Sequence, residues 1–455
     1  MESQRQSPSP SQELEPLFDE VFALGLRSSH SFDLYGEKKA STIIYFKNDT
    51  IRKSFYVEDS GVSLRINEDG KTGFSGSSLA VCDAEKLILD ASPHDIPSDD
   101  IFLNFPKIEQ RHTKGIYDPD IAGISLEQIK EYIQSVVASA SLENITSIDG
   151  YVRLFSKEWI IGNSQGEKTS VEETYIKVMV RTYARLLFKN AVSVEYQDGR
   201  RLNQIDPIYL GKSCAEKTVK SLNFKKMEVV DLPVVLDPSL VSNLMYSLAT
   251  GMLNAGSVYR KVSCLDLNSR IGSLTLYDDG TIPGGLRSSP VDGEGVTKKK
   301  YCLINKGQVK TYLHNLATSD TFKVAPTGNC TRMGYTVQPV IAPSNLIVEP
   351  GTAHAHEIIE DTKKGIYYGL SFDVPNMTNG DYFLTAQNAF WIEHGEITDP
   401  VRFPGMNTTL FELCDAVDMI SKDTIVLNGV VTPTLRLSKM RVFPSPFIYS
   451  GSTLW

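Results

Sequence analysis

Apolar residues near the start of the chain recur at helical intervals and then change to a strand-like pattern. Between Gln12 and Arg27 they are three and four residues apart, which predicts an amphipathic helix. The runs STIIYF, RKSFYVE, GVSLRIN and KTGFSGSS predict short strands, with turns at Asn48-Asp49 and Asp69-Gly70 among them. A second helix is predicted over Asp83 to Ala91. These elements predict an N-terminal α+β domain over residues 13–95.

The next segment repeats the mixture of helix and strand. After a proline-containing connection, Ser125 with Gln128 three residues later predicts a capped helix that ends near Ala140. The stretch from Asp149 to Ala184 predicts strands, and IIGNSQGEKTS in its middle predicts a hairpin turn. A helix is predicted again over Ile205 to Leu222. Residues 96–226 are therefore predicted to form a second α+β segment with a central hairpin.

The pattern changes a third time near Met227. The run VVDLPVVLDP predicts a strand, and Asp237 is placed to cap a helix through SLVSNLMYSLATGML. Short apolar runs between glycine- and proline-containing turns fill the remainder, with no internal repeat. Residues 227–455 are thus predicted to form a β-rich C-terminal domain of mainly antiparallel strands, and the whole chain is assigned to the α+β class.

The composition of the chain limits which cellular compartments and which kinds of partner are expected. The chain has 455 residues and a net charge of −9, which opposes an extended nucleic-acid surface. No apolar run approaches the roughly 20 residues that span a bilayer. Residues 1–12 are polar, predict a disordered tail and lack the order of a secretory signal. The six cysteines are scattered without a CxxC pair, which favours reduced thiols in a cytoplasmic protein.

One loop, YDDGTIPGGLRSSPVDGEGV from Tyr277 to Val296, is too rich in glycine and proline for a regular helix or a long strand. A phosphate-binding loop would need a lysine after its second glycine, and Leu286 follows Gly285 instead. The four acids of the loop could hold a hard cation, although their spacing is not that of an EF-hand. The simpler interpretation is a turn followed by a rigid connector.

Other candidate catalytic motifs are incomplete. In HAHEII, a zinc-binding HExxH would need a second histidine at position 360 or 361, where Glu360 and Asp361 stand. His354 and His356 could share a metal from a strand, or could flank the start of a surface helix. There is no GxSxG nucleophile motif. The residues alone therefore assign no catalytic group and no metal ligand.

Several stretches, in order from about Gly61 to Val442, resemble the TldD/PmbA family, whose members have been named modulators of DNA gyrase and linked to metal-dependent proteolysis. They are GVSLRINEDGKTGFSGSSL, NSQG, DDGTIPGGLRSSPVDGEGV, LINKGQVKTYLHNLATS, PTGNCTR and NGDYFLTAQNAFWIEHGEITDPV. The third is similar to the family's most characteristic signature. Its members here are Asp278, Asp279, Gly280, Pro283, Gly284, Gly285, Asp292, Glu294 and Gly295.

The TldD-like branch of that family carries HExxxH on a helix after a strand similar to VVLDP, and a further cysteine ligand near its C-terminus. Laid on this chain without gaps, the three functional positions of HExxxH fall on Tyr246, Ser247 and Gly251. A tyrosine and a glycine cannot supply two imidazole ligands, and serine is a poor replacement for a carboxylate base. No cysteine follows Cys414. The chain therefore resembles the TldE/PmbA branch, which lacks its own zinc.

This resemblance implies a hetero-oligomer in which a TldD-like partner supplies the zinc, its ligands and the base. The partner's chemistry would be attack of a zinc-activated water on a peptide carbonyl. This subunit would help to close a chamber for unfolded peptides, with the signature loop near the peptide path or the interface. One alternative is a homo-oligomer, such as a homodimer, that binds peptides or regulates and has no catalytic activity. The other is a metal-dependent hydrolase that uses the acidic loop with His354 and His356.

Overall fold

The computed structural model describes residues 13–28, 31–68, 71–93 and 104–445. Ten α-helices are found there: α1 Leu14–Arg27, α2 Ala84–Asp90, α3 Pro119–Ala122, α4 Leu126–Ala140, α5 Pro207–Lys220, α6 Pro238–Ser247, α7 Ala255–Tyr259, α8 Leu316–Phe322, α9 Ala355–Asp361 and α10 Leu410–Asp415. The predicted tail and the Asp69-Gly70 turn lie outside the described residues. None of these helices is long and apolar enough to cross a bilayer.

The strands form an N-terminal and a C-terminal set. The first is β1 Ser31–Lys47, β2 Thr50–Glu68, β3 Lys71–Ser78, β4 Ile145–Asn163, β5 Lys168–Leu186 and β6 Lys189–Gly199. The second is β7 Val230–Leu236, β8 Leu276–Asp279, β9 Lys300–Asn305, β10 Gln308–Val309, β11 Cys330–Thr331, β12 Val340–Ile341, β13 Asn345–Val348, β14 Lys364–Tyr368, β15 Asp381–Thr385, β16 Ala389–Glu393, β17 Glu396–Val401, β18 Pro404–Thr409, β19 Val417–Leu427 and β20 Val430–Pro444.

One antiparallel sheet contains all six N-terminal strands, in the order β3-β2-β1-β4-β5-β6. Strands from both predicted N-terminal segments therefore share a sheet, because β1 pairs with β4 from Asp33–Asn163 to Lys47–Asp149. The runs RKSFYVE and GVSLRIN, predicted as two short strands, are one strand, β2. Asp59 and Ser60 continue the pairing between them without a turn.

The two faces of this sheet have different partners because successive side chains point to opposite sides. Even-numbered apolar residues, such as Leu34 and Val178, pack in two clusters against the helix pairs α1–α2 and α4–α5. Odd-numbered residues lie on the other face. There, Tyr35 and Trp159 pack with Val291 of the C-terminal domain. One face thus holds the helices, and part of the other contacts the C-terminal domain.

The C-terminal domain contains a sheet of twelve strands, with β20 between β13 and β7. Most pairs are antiparallel, while β13–β20 and β7–β14 are parallel. Its core is the largest apolar cluster of the described residues and packs α6 against this sheet. The predicted α+β class with a β-rich C-terminal domain is confirmed.

Local signals placed the longer helices correctly. Ser125 and Gln128 form the predicted capping box of α4, and the Asp237 side chain accepts from the backbone N–H of Ser239 at the start of α6. Helices α7 to α10 were not predicted as such, except for a helix start near His356. Each has five to seven residues, too few for a helical period to stand out.

Candidate functional site

Helix α6 ends in a wider turn at the position where the resemblance places the zinc motif. A π-helical turn covers Leu248–Met252, and the N–H of Leu253 donates to the carbonyl of Leu248 at 3.0 Å. In a regular α-helix, residues five positions apart point ~140° away from each other. A π turn hydrogen-bonds residues five apart, and such turns are frequent at functional sites. This widening is the local geometry that a ligand pair with HExxxH spacing would need.

Tyr246, at the first histidine position, is paired with an arginine. Its hydroxyl accepts a hydrogen bond from Arg287 Nη1 at 3.0 Å, and the guanidinium lies 4.4 Å from the ring centroid. The Arg287 backbone N–H donates to Asn345 Oδ1 at 2.9 Å, which fixes the chain at this residue. Arg287 belongs to the signature loop, so this pair connects the loop to the end of α6.

At Gly251, the second histidine position, the space that a side chain would enter is filled by the side chain of Met377. A Cβ built on the glycine would lie 2.2 Å from Met377 Sδ, far inside van der Waals contact. A permanently charged guanidinium also stands beside Tyr246 and would repel a divalent cation. The residues present here therefore do not fit a zinc ion. Among the described residues, no group of three His, Cys, Asp or Glu side chains is arranged to hold a metal.

The acids of the signature loop are buried and accept hydrogen bonds within the chain. Asp278 accepts from Asn329 Nδ2 at 2.8 Å and from the Ser344 N–H at 2.6 Å. Asp279 accepts from the N–H and hydroxyl of Thr281 and closes a local turn. Burial raises the pKa of Asp278 to about 6. These carboxylates have internal partners, and none of them contacts His354 or His356.

The second acidic pair of the loop holds backbone segments in place. Asp292 accepts from the backbone N–H groups of Glu294, Val296 and Cys330, each at 2.9 Å. Burial and the nearby Glu294 raise the pKa of the Asp292 carboxyl. Glu294 in turn accepts from the Leu316 N–H at 2.8 Å. The loop is thereby fixed against β11 and the start of α8.

A network of buried charges joins this loop to the N-terminal sheet. Arg65 Nη2 lies 2.6 Å from Asp33 Oδ2, and Arg65 Nη1 lies 2.8 Å from Glu294 Oε1. The second contact is an ion pair whose angle does not satisfy a hydrogen bond. Arg332 Nη2 approaches the same Asp33 oxygen at 2.7 Å. Two arginines and two carboxylates from β1, β2, the loop and the segment after β11 therefore meet at the domain contact.

The loop glycines allow close approach between segments. Gly284 has φ +66°, and its N–H donates to the Lys114 carbonyl at 2.8 Å. Gly295 has φ +80°, and a Cβ there would lie 2.9 Å from Ile108. Gly280 and Gly285 are similarly close to Lys298 and Ser288, and Pro283 stands between these two glycines in the sequence. The loop is a connector between the domains, and its role near a peptide path stays a prediction.

The two histidines of HAHEII lie at the start of helix α9. His354 precedes the helix, and its Nδ1 is 2.7 Å from Asp423 Oδ1. Its ring stacks on His356 with centroids 5.6 Å apart. These side chains flank a surface helix start, which was one of the two interpretations of the sequence.

Three residues that the sequence did not single out prove central to this region. Arg65 and Arg332 lie within the quoted stretches GVSLRIN and PTGNCTR, Asp33 precedes the first predicted strand, and each is almost fully buried. For Arg65 the available signal was a charged residue inside a predicted strand whose faces alternate; no sequence feature singled out Asp33 or Arg332. Arg287 lay within the quoted signature, but no sequence feature pointed from it to Tyr246.

Two family models match the chain. The model of the PmbA/TldA metallopeptidase C-terminal domain matches residues 230–443, and that of metallopeptidase domain 1 matches residues 32–91. Among curated relatives, a metalloprotease of Methanocaldococcus jannaschii is 27% identical over 86% of this chain and 88% of its own length. A metalloprotease PmbA homolog of Buchnera aphidicola is 22% identical over 90% and 93%.

Solved structures share the fold. A candidate modulator of DNA gyrase from Thermotoga maritima superposes with a TM-score of 0.84 at 22% identity, over 94% of this chain and all of the other. TldE from Thermococcus kodakarensis gives a TM-score of 0.83 at 17% identity, over 94% and 99%. With both terminal domains matched by family models, the chain belongs to the PmbA/TldD family of metallopeptidases.

Proposed function

We propose that this chain is the TldE/PmbA-type subunit of a two-component metallopeptidase for unfolded peptides, and that a TldD-like partner carries the zinc. The observation that carries the proposal is the pairing of Arg287 with Tyr246 where the motif of the zinc subunit would lie. The Tyr246 hydroxyl already accepts a hydrogen bond from the Arg287 guanidinium, and this group adds a positive charge beside the hydroxyl.

The branch assignment depends on these residues and not on overall similarity. Relatives of this chain include proteins named as PmbA homologs and as TldD homologs, at identities between 22% and 28%. Such values do not separate the two branches. Tyr246, Ser247 and Gly251 favour the TldE/PmbA branch, because they provide neither imidazole ligands nor a carboxylate base.

The partner is proposed for a chemical reason. A family metallopeptidase needs a metal that activates water, and the α6 end of this chain fits no such ion. We infer that, if the chain takes part in peptide cleavage, another polypeptide holds the metal. The buried domain contact around Arg65 and Glu294 supports a stiff scaffold that could form one wall of a shared chamber.

The test uses the full chain, alone and mixed with a protein of the same organism that carries HExxxH. Zinc content is measured by mass spectrometry after dialysis, and cleavage is followed on an unfolded fluorescent peptide. We expect no cleavage by the lone chain and cleavage by the mixture. A mixture with the partner's motif glutamate changed to glutamine serves as the control and should be inactive.

Two results would overturn the proposal. Cleavage by the lone chain with about one tightly held zinc per chain, as a dedicated site would show, would mean that it is an independent enzyme. An inactive mixture, with a lone chain that forms homodimers and binds the peptide, would favour the homo-oligomeric binding protein instead.

A further inference from the structure

A cavity of about 630 Å³ lies between the edge of the six-stranded sheet and the C-terminal domain. Edge strand β6 supplies one wall, from Val194 to Gly199, and α5 contributes Tyr209 and Lys217. The start of α6, the ends of β14 and β16, the β19–β20 turn and Ile282 to Leu286 of the signature loop supply the other side. Tyr246, Ser247 and Gly251 are not among its lining residues, although Arg287, which contacts Tyr246, adjoins the lining residues Leu286 and Gly429.

The ionisable groups that line the wall have an excess of negative charge, while two cations outside the lining, Lys177 and Arg287, interact electrostatically with Asp198. Three carboxylates, Glu195, Asp198 and Asp237, stand against one ammonium, Lys217. Glu195 is ion-paired with Lys217. Asp237 caps α6 with one oxygen and accepts from the Tyr367 hydroxyl with the other. Asp198 is therefore the carboxylate of the wall whose hydrogen bonding is incomplete.

Asp198 is only 9% exposed, and its two oxygens differ. Oδ1 accepts from the Asn428 N–H at 3.2 Å, whereas Oδ2 has no hydrogen-bond partner among the described residues. Lys177 of β5 is paired with Asp198 of β6, but its ammonium lies over the Tyr196 ring, 4.6 Å from the ring centroid. A buried carboxylate oxygen without a donor is unfavourable. Because Oδ2 has almost no accessible surface, a ligand donor would reach it only after a small movement of the neighbouring side chains.

The rest of the wall suits an apolar chain. Aromatic and aliphatic side chains line the same cavity, among them Tyr196, Leu210, Leu370, Phe390 and Val426. An alkyl or aryl body would be desolvated against these groups, while a cationic head would reach the carboxylate. The size of the cavity is in the range of small-molecule sites, about 300–1,000 Å³.

We propose that this cavity binds a primary ammonium or guanidinium group carried on an apolar chain, and that Asp198 Oδ2 is the acceptor for that group. Two sources share this chemistry, a free aliphatic amine and a lysine or arginine side chain of a peptide. The proposal does not depend on the chain being a peptidase subunit, and its test requires neither zinc nor a partner.

The test is calorimetric titration of the full chain with Nα-acetyl-lysine methylamide and with the uncharged norleucine analogue of the same length. We expect the lysine analogue to bind roughly tenfold more tightly or better, as one charge-assisted hydrogen bond in a buried site provides. Asp198→Asn should remove that preference. Glu172→Gln makes the same change of charge at an exposed position of β5 and should leave binding unaltered.

A second variant covers the case in which Asp198→Asn does not fold. Val426 lines the cavity and is 56% exposed, so Val426→Trp would narrow the cavity from its rim without touching the carboxylate. It should weaken binding of the lysine analogue. Val337→Trp is the matched control, because Val337 is 46% exposed and does not line the cavity.

The same titration distinguishes the two sources. Binding of pentane-1,5-diamine as tight as that of the lysine analogue supports a free amine. Binding of the lysine analogue alone supports a basic peptide side chain. Equal affinity for the lysine and norleucine analogues, unchanged binding by folded Asp198→Asn, or no binding of any of the cations would overturn the proposal.

Discussion

The guanidinium of Arg287 lies 4.4 Å from the ring centroid of Tyr246 and donates to its hydroxyl at 3.0 Å. This contact joins a residue of the glycine-rich signature loop to the end of α6. It also places a fixed positive charge at the helix position where the TldD-like branch is expected to hold a zinc ligand. Cation–π contacts of this kind stabilise by about 0.5–2 kcal/mol, depending on desolvation.

Restoring the zinc motif in sequence should not restore a zinc site. The triple variant Tyr246→His, Ser247→Glu, Gly251→His recreates HExxxH. We expect it to hold far less than one zinc per chain, because Arg287 remains beside the first position and Met377 fills the second. Mass spectrometry of the dialysed protein measures the metal. Adding Arg287→Ala and Met377→Ala gives the comparison variant, and near-stoichiometric zinc in the triple variant alone would contradict the expectation.

The contact between Gly251 and Met377 can be measured by a double-mutant cycle. Gly251→Ala should lower the free energy of unfolding by about 1–3 kcal/mol, since the added methyl overpacks a buried site. In a Met377→Ala background the same change should cost at least ~0.5 kcal/mol less. Urea unfolding followed by circular dichroism gives both values. Gly123→Ala is the control, because its Cβ would meet only the Pro119 carbonyl at 3.4 Å; equal costs in both backgrounds would refute the contact.

Loss of Arg65 should destabilise the domain contact strongly. Arg65→Met leaves two buried carboxylates, Asp33 and Glu294, without one of their cations. Breaking a buried pair in this way costs about 3–5 kcal/mol. Lys38→Met is the matched control on the same hairpin. It removes an exposed pair with Glu58 at 3.7 Å, and such pairs contribute about 0–1 kcal/mol. Similar losses in the two variants, measured by urea unfolding, would contradict a buried role for Arg65.

The buried Asp278 should make stability depend on pH. Its pKa is raised to about 6 by burial, whereas an unfolded aspartate titrates near pH ~3.9. Between these values the folded chain holds a proton that the unfolded chain has lost, so the contribution to stability falls as pH rises. The loss from this group should begin near pH 4 and be complete above about pH 6.

Asp278→Asn should therefore flatten the pH dependence of unfolding between pH 4 and about 6. Urea unfolding at a series of pH values measures the slope. Asp49→Asn, at an exposed turn, is the control and should leave the slope unchanged. Parallel curves for wild type and Asp278→Asn would show that Asp278 is not protonated in the folded chain within this range.

Much of the local structure followed from the sequence. The helical period before Arg27, the capping box of Ser125 and Gln128, and the cap at Asp237 each depend on residues within one or two turns. Such signals can be read without knowing the fold. The merging of RKSFYVE and GVSLRIN into one strand could not be read, because the strand partners of Asp59 and Ser60 lie on β1.

From the sequence, the family resemblance predicts that Tyr246, Ser247 and Gly251 stand where the zinc motif of the TldD-like branch would be, and this prediction needs only residue identity and spacing. Only the tertiary structure decided what fills that position. Arg287 is 41 residues from Tyr246, and Arg332 is 299 residues from Asp33. Contacts over such separations are determined by how sheets and loops pack together, and they cannot be deduced from the linear pattern of apolar and polar residues. The same packing leaves Asp198 buried beside a cavity with one oxygen unpaired.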